Sequence, residues 1–318
     1  CPIGSPSLPG LLRAKRPGRA VITISDITRP VPNRLLLPPL LDALREGGVP
    51  EHAVTILIGT GMHRPSTAAE RETLLGGDIL ARCAVIDHQA AVAESLVTVS
   101  EDPPVRVCRR FVEADFRIVT GLIEPHFMAG FSGGRKGVCP ALVDLATVQR
   151  FHGYATLSHP AAENGVLAGN PCHAIALDIA RRVGVDFLCN VAITHDRRLA
   201  AVYCGDLEAA HAAGCRDVAA WTGAAVAAPY DLVITCGGGY PLDQTLYQTV
   251  KPRQNGIRLI SGPLESTWVN DNEGARYLDQ VYKLGGWAPG EVPWDGLGYH
   301  VYVGEDPGAP RGTDGSTD

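Results

Sequence analysis

Short apolar runs alternate with helical-period segments along the first 220 or so residues. AVITISD, VTILIGTG and DFRIVTGLI are β-branched runs ending in Asp or Gly, the pattern of buried strands. ARCAVIDH and VRVCRRFVEA contain further strands. Between them, NRLLLPPLLDALREGGV repeats leucines at helical spacing, and Pro38-Pro39 is expected to start or kink that helix. TAAERETLLG and the Ala-rich DLEAAHAAGCRDVAAWTGAA read as helices, and NPCHAIALDIARRVGVDFLCNVAIT as a helix followed by a strand. The opening CPIGSPSLPGLLRAKRPG, rich in Pro, Gly and basic residues, reads as an extended lead-in.

Strands alternating with helices predict an α/β layered fold. Two α/β domains with a cleft between them are expected: residues 1–227, and a partial C-terminal domain at 228–318. The second begins with APYDLVITCGGGYPLDQTLYQTVK, a strand, a Gly-rich turn and a helix. Residues 254–318 lose this periodicity and read as divergent or partly disordered. Three polar loops, SDITRP, GTGMHRP and GLIEPH, follow buried strands. Ligands in open α/β sheets bind at the carboxyl ends of strands, so these loops are candidates for one shared site.

Composition narrows the function classes. A formal charge of −6 argues against a general nucleic-acid binder, and no apolar run reaches the length of a membrane span. Nine cysteines without a CxxC pair fit reduced, mostly buried thiols in a cytoplasmic protein.

The chemistry-bearing residues cluster in the three loops and in EPHFMAGFSGGRKG. Ser132, Gly133, Gly134, Arg135 and Lys136 spell SGGRK, where consecutive glycines let backbone N–H groups approach an anion and two cations add charge. The spacing is not that of a P-loop, and a turn with two solvated cations is an equally good reading of this stretch alone. His63 and His126 each follow a strand end. Two histidines facing one centre form an acid/base pair, whereas either alone reads as a loop histidine. Asp26 or Ser25 suits a helix cap, and Arg29 suits a clamp on a carboxylate or phosphate. Gln248 and Lys251 share a face if YQTVK is helical. His152 is the candidate metal ligand, but no HExxH or HxxEH motif exists and His159, His173, His195 and His211 form no ligand pattern with it. One histidine suffices only if a cofactor supplies the remaining donors, such as soft sulfurs that favour a late transition metal.

The ordered set SDITRPVP, GTGMHRP, EPHFMAGFSGGRKG, FHG, AGNP and YPLDQTLYQTVK resembles the nickel-pincer lactate racemase family across roughly residues 20–252. The resemblance implies an isomerase that racemises or epimerises a lactate-like 2-hydroxy acid by reversible hydride transfer. The implied cofactor is nickel on a pyridinium bis-thiocarboxylate-type mononucleotide, in some members linked covalently to a lysine that corresponds to Lys136. By the same resemblance His152 ligates nickel and His63 and His126 are the acid/base pair. Arg29, Gln248 and Lys251 hold substrate. Asp26, Thr28, Ser132, Gly133, Gly134 and Arg135 face the cofactor. Enzymes that build the cofactor are implied partners. After Lys251 the sequence departs from the family's continuation, and none of Trp268, Trp287 and Trp294 sits in a matching motif. A cofactor-binding remnant without turnover is therefore one alternative. A nicotinamide-dependent oxidoreductase is another, although no G-x-G-x-x-G opens a strand–helix unit.

Overall fold

The computed structural model describes residues 1–224 and the backbone of two further strands, Ile260–Glu265 and Gly296–His300, which pair in parallel. The chain divides into two compact units, Cys1–Ala225 and Val226–Asp318. The first unit holds a six-stranded sheet.

Its elements run α1 (Leu8–Lys15), β1 (Ala20–Ser25), α2 (Asn33–Glu46), β2 (Val54–Gly59), α3 (Ala68–Leu75), α4 (Gly77–Arg82), β3 (Ala84–Asp87), β4 (Leu96–Glu101), β5 (Pro104–Cys108), α5 (Arg109–Val112) and β6 (Phe116–Leu122). Then come β7 (Pro125–His126), β8 (Gly130–Phe131), α6 (Leu145–Phe151), α7 (Tyr154–Leu157), α8 (Pro171–Val183), β9 (Phe187–Ile193), β10 (Leu199–Gly205) and α9 (Leu207–Thr222). Six strands form one sheet in the order β10-β9-β6-β1-β2-β3, parallel except for the antiparallel edge strand β10. The α/β class expected from the alternation is observed.

The strands are continuous apolar runs because both faces of the sheet are covered. Ile22, Ile24, Ile56, Ile58 and Ile118 pack on one face with the α2 leucines. Their neighbours Val21, Leu57 and Val119 pack on the other with Val148 and Phe151 of α6 and Ala176 and Ile179 of α8. The chain adds β2 and β3 on one side of β1 and β6 and β9 on the other, so the strand order reverses between β1 and β6. A crevice opens at the carboxyl ends of strands at such a reversal.

Two local expectations change. The opening segment is not extended: Ser7 caps α1 by accepting from Gly10 N–H at 3.3 Å, and Leu8 and Leu12 are buried. Pro9 falls in the first turn, where its missing N–H breaks no helical bond. Nor does Pro38-Pro39 start α2, which begins at Asn33 and runs through both prolines. Leu36, Leu37, Leu40, Leu41 and Leu44 are buried, while Pro38 and Pro39 lie on the more exposed side. Apolar burial of that leucine face outweighs the lost backbone bonds.

All eight cysteines among the described residues are free, six of them buried. Among the described residues no helix is long and apolar enough to cross a membrane.

Candidate active site

The loops after β1, β2 and β6 meet in a cleft of about 240 Å³ at the carboxyl ends of these strands. Asp26, Thr28, Arg29, His63, His126 and His152 all line it. So do Ser132, Gly133 and Lys136 of the glycine loop. Residues separated by more than 120 positions thus share one cavity because β1 sits between β2 and β6.

The β1 loop is organised around Asp26, which is only 7% exposed. Its Oδ1 accepts from the Thr28 hydroxyl at 2.5 Å and from Thr28 N–H at 3.2 Å. Its Oδ2 lies 2.6 Å from His63 Nδ1. The carboxylate caps no helix; it closes its own turn and holds His63. Burial alone raises the Asp26 pKa, but the bonds from His63 and Thr28 win and hold it below the usual value. The bond to Asp26 raises the pKa of His63, against partial desolvation. With Nδ1–H committed to the carboxylate, Nε2 is the titrating nitrogen, and the ring, 58% exposed at its side chain, has room to reach a ligand.

His126 is in the opposite environment. It is 8% exposed, and burial, with the Arg29 and Arg135 cations nearby, pushes its pKa down to about 2. Its Nδ1 accepts from Met128 N–H at 3.4 Å and Ala129 N–H at 3.3 Å. The proton of the neutral ring is therefore on Nε2, 2.8 Å from Lys136 Nζ. A bond there requires a lone pair on Nζ, so Lys136 is a free amine. Desolvation, reinforced by Arg135 and Arg29, brings the Lys136 pKa down to about 7 and favours the same state. An uncharged amine at neutral pH is a nucleophile. Acylation of this lysine is expected to follow an apparent pKa near 7, measured as the rate of mass addition at Lys136 in peptide maps. A profile rising only toward pH 10 would contradict the free amine.

His152 caps the C-terminal end of α6. Its Nδ1–H donates to Val148 C=O at 2.9 Å, and burial lowers its pKa. The free lone pair is on Nε2. A ring whose other N–H is held by a backbone carbonyl is the usual orientation of a metal-binding histidine. Among the described residues no three His, Cys, Asp or Glu side chains cluster to hold a metal ion, so His152 needs donors from outside the chain.

The glycine loop is shaped from behind by Asn190. This side chain, 0% exposed, accepts from Gly134 N–H at 2.6 Å. Gly133 has φ 73° and ψ −169°, a region essentially confined to glycine. A Cβ there would lie 2.6 Å from Asn190 Oδ1 and 2.9 Å from Leu122 O. Gly133→Ala is therefore expected to cost roughly 2–4 kcal/mol of stability, read from urea unfolding of the full chain. Ser132 pins the loop start, its hydroxyl donating to Leu122 C=O at 2.7 Å and accepting from Glu124 N–H at 3.0 Å.

Gly134 and Arg135 do not join Ser132, Gly133 and Lys136 in lining the cleft: Gly134 packs against the His211 ring, which a Cβ would meet at 2.5 Å. The Arg135 guanidinium is buried behind the loop and donates to Phe131 C=O at 3.0 Å and Ala129 C=O at 2.6 Å. The cation read from SGGRK as facing a cofactor is directed into the protein. Gln248 and Lys251 lie outside the described residues. Asn190 and Glu124 were not singled out from the sequence. A single polar residue inside the apolar run FLCNVAI is the signal that could have found Asn190. Glu124 lies 4.0 Å from the Arg29 guanidinium, and burial raises its pKa.

An open, mostly parallel sheet with three strand-end loops, a carboxylate-held histidine, a lysine amine and a histidine with a free ring nitrogen has the layout of a small-molecule site of the α/β type. The chain belongs to the lactate racemase N-terminal domain family, which it matches over residues 1–165. It is 37% identical over 253 residues to lactate racemase from Thermoanaerobacterium thermosaccharolyticum, covering 79% of this chain and 58% of that one. It is 38% identical to lactate racemase from Lactiplantibacillus plantarum, covering 79% of this chain and 59% of that one. The fold matches the solved structure of the T. thermosaccharolyticum lactate racemase apoprotein with a TM-score of 0.71, at 37% identity, over 79% of this chain and 60% of that one. A Thermotoga maritima protein of known structure shares the fold at 23% identity and a TM-score of 0.57, over 67% of this chain and 58% of that one. The chain thus spans less than two thirds of the length of the curated relatives it matches.

Proposed function

We propose that this protein racemises a lactate-like 2-hydroxy acid and that the cleft seats a nickel-pincer mononucleotide. The observation that carries the reading is the meeting of His63, His126, Lys136 and His152 in one cavity, with His152 Nε2 free. The donor set fits such a group. His152 supplies a neutral nitrogen, Lys136 an amine able to form a covalent link, and Gly133 a close backbone approach in which a Cβ would clash. The cofactor, when bound, supplies a hydride acceptor and donor, so that the Cα–H bond breaks without a carbanion beside a carboxylate.

The chain's own residues orient the substrate and move its proton. Arg29, at the cleft wall and exposed enough to reach in, pairs with the substrate carboxylate. Gln248 and Lys251 are assigned to the same task by their motif. Asp26 fixes the His63 tautomer, leaving Nε2 to take the hydroxyl proton and return it. His126 cannot hold a proton on Nδ1, which faces two backbone N–H groups. It acts through Nε2. Covalent use of the Lys136 amine removes the lone pair that Nε2–H now meets, and so frees that N–H for the substrate oxygen.

Racemisation of an enantiopure 2-hydroxy acid by protein made alongside cofactor-building enzymes tests this reading. In heavy water the inverted product is expected to carry no deuterium at Cα. Deuterium incorporation would point to proton abstraction instead. Full-rate racemisation by both His63→Ala and His126→Ala would remove the assigned acid/base pair. A cofactor-binding chain without turnover is the second reading, favoured by the departure from the family's motifs after Lys251. It predicts nickel retention with no inversion of any 2-hydroxy acid.

A further inference from the structure

Lys136 lines the cleft half-buried, in the company of the apolar residues Leu122, Phe127, Met128 and Val148. Its Nζ meets the Nε2–H of His126 at 2.8 Å rather than a carboxylate, so the lone pair is present and the amine is uncharged. Arg135 and Arg29 are its neighbours of like charge. Desolvation and an adjacent cation are the two conditions that turn a lysine into a nucleophile toward carbonyl carbon.

The same cavity supplies a grip for a ligand that carries such a carbon. Arg29 lines it with a side chain that is 45% exposed, and the Glu124 carboxylate stands 4.0 Å off, a loose pair that leaves guanidinium donors open. Arg29 is close enough for its charge to act on Lys136, so the cation and the amine flank one space. A molecule with a carboxylate directly beside a ketone matches a cation and an amine placed in this way. The cleft, about 240 Å³, takes a small one, and its apolar wall suits a short alkyl substituent.

We propose that the cleft, when no cofactor is linked to Lys136, takes small 2-oxo acids and holds them covalently as an imine on Lys136. The Nζ lone pair attacks the ketone carbon, an N–C bond forms, and the π pair of the C=O moves to oxygen. The His126 N–H, released from that lone pair, turns to the oxygen. A proton passes from nitrogen to this oxygen and gives a carbinolamine. His63, on the same cavity wall, protonates the hydroxyl through Nε2; the C–O bond breaks, water leaves, and the nitrogen pair closes C=N. The proton still on nitrogen restores His63. Amine and ketone lose one water between them, and nothing is oxidised or reduced. The imine needs this chain's own residues alone and stands independently of the racemase reading.

Reductive trapping tests the site. The full chain, made without cofactor-building enzymes, is incubated with pyruvate and sodium cyanoborohydride at neutral pH, which turns the imine into a stable secondary amine. A peptide map is expected to find one reduced pyruvate on Lys136. Lys15, the other lysine among the described residues, is exposed and paired with Asp186 at 2.7 Å, and serves as the reference within the same chain. Surface ammonium groups are almost wholly protonated at neutral pH, so Lys136 is expected to be labelled at least about tenfold faster than Lys15. Acetone offers the ketone without the carboxylate. Normalised to Lys15, labelling of Lys136 is expected to favour pyruvate over acetone by about tenfold or more, a preference that Arg29→Gln removes. An unmodified Lys136, labelling no faster than that of Lys15, or a pyruvate preference untouched by Arg29→Gln would each overturn the proposal.

Discussion

His152→Ala is expected to abolish nickel retention in protein made alongside cofactor-building enzymes. The wild-type chain should keep about one nickel, because a single chain histidine serves a single ion. Even side chains that only orient a ligand change metal affinity by ~10–100-fold, so loss of the ligand itself should exceed that range. Metal analysis after gel filtration provides the measurement. The substitution removes a ring at the end of α6 that bonds Val148 C=O and meets the edge of Phe151, while Val148 and Phe151 keep their places in the core beneath the sheet. A folded variant without metal is therefore the expected outcome. Wild-type nickel content in the variant would place the metal elsewhere.

The second large effect is expected from Asp26→Asn. The carboxylate accepts from both His63 Nδ1 and Thr28, and an amide cannot accept at both oxygen positions. Its NH₂ would face either Thr28 or His63. Facing His63, it would turn the ring proton onto Nε2, the nitrogen assigned to the substrate. Correct protonation by a positioned side chain is worth ~10²–10⁴-fold in rate, and kcat for racemisation should fall by that order. The pH profile should move with it. His63 has a raised pKa in the folded protein, so its ion pair with Asp26 stabilises the fold below the ordinary histidine pKa and is lost as pH rises through the folded value. Asp26 has a lowered pKa, so its contribution is present above the ordinary carboxylate value and is lost as pH falls through the folded one. Between those limits the pair is intact. In Asp26→Asn the acidic limb of activity assigned to His63 should shift to lower pH, since the ring loses its anionic partner. An unchanged profile and rate would show that another group carries the proton.

Much of this site was legible in the sequence. Asp26, His63 and His126 each follow an apolar run, and a buried strand end is where an α/β sheet presents polar groups to a ligand. SGGRK carried a backbone signal, since only glycine reaches the conformation found at Gly133. What sequence could not give was direction. Arg135 and Lys136 are adjacent and both basic, yet one turns into the protein and the other into the cleft. That choice is made by Asn190, 56 positions away from Gly134, and by the carbonyls of Ala129 and Phe131. His63 and His126 looked alike as strand-end histidines. Their environments separate them: one is exposed on a buried carboxylate, the other enclosed against an amine. At the chain's beginning, prolines and glycines suggested an extended segment. The leucine pair Leu8 and Leu12, one helical turn apart, was the stronger signal.

Nickel K-edge X-ray absorption of the purified protein, recorded for wild type and His152→Ala, tests the central claim most directly. The account predicts sulfur scatterers together with one imidazole nitrogen in the wild type, and loss of that nitrogen, with or without the metal, in the variant. A nickel shell built only from nitrogen and oxygen donors, or one unchanged by the substitution, would contradict it.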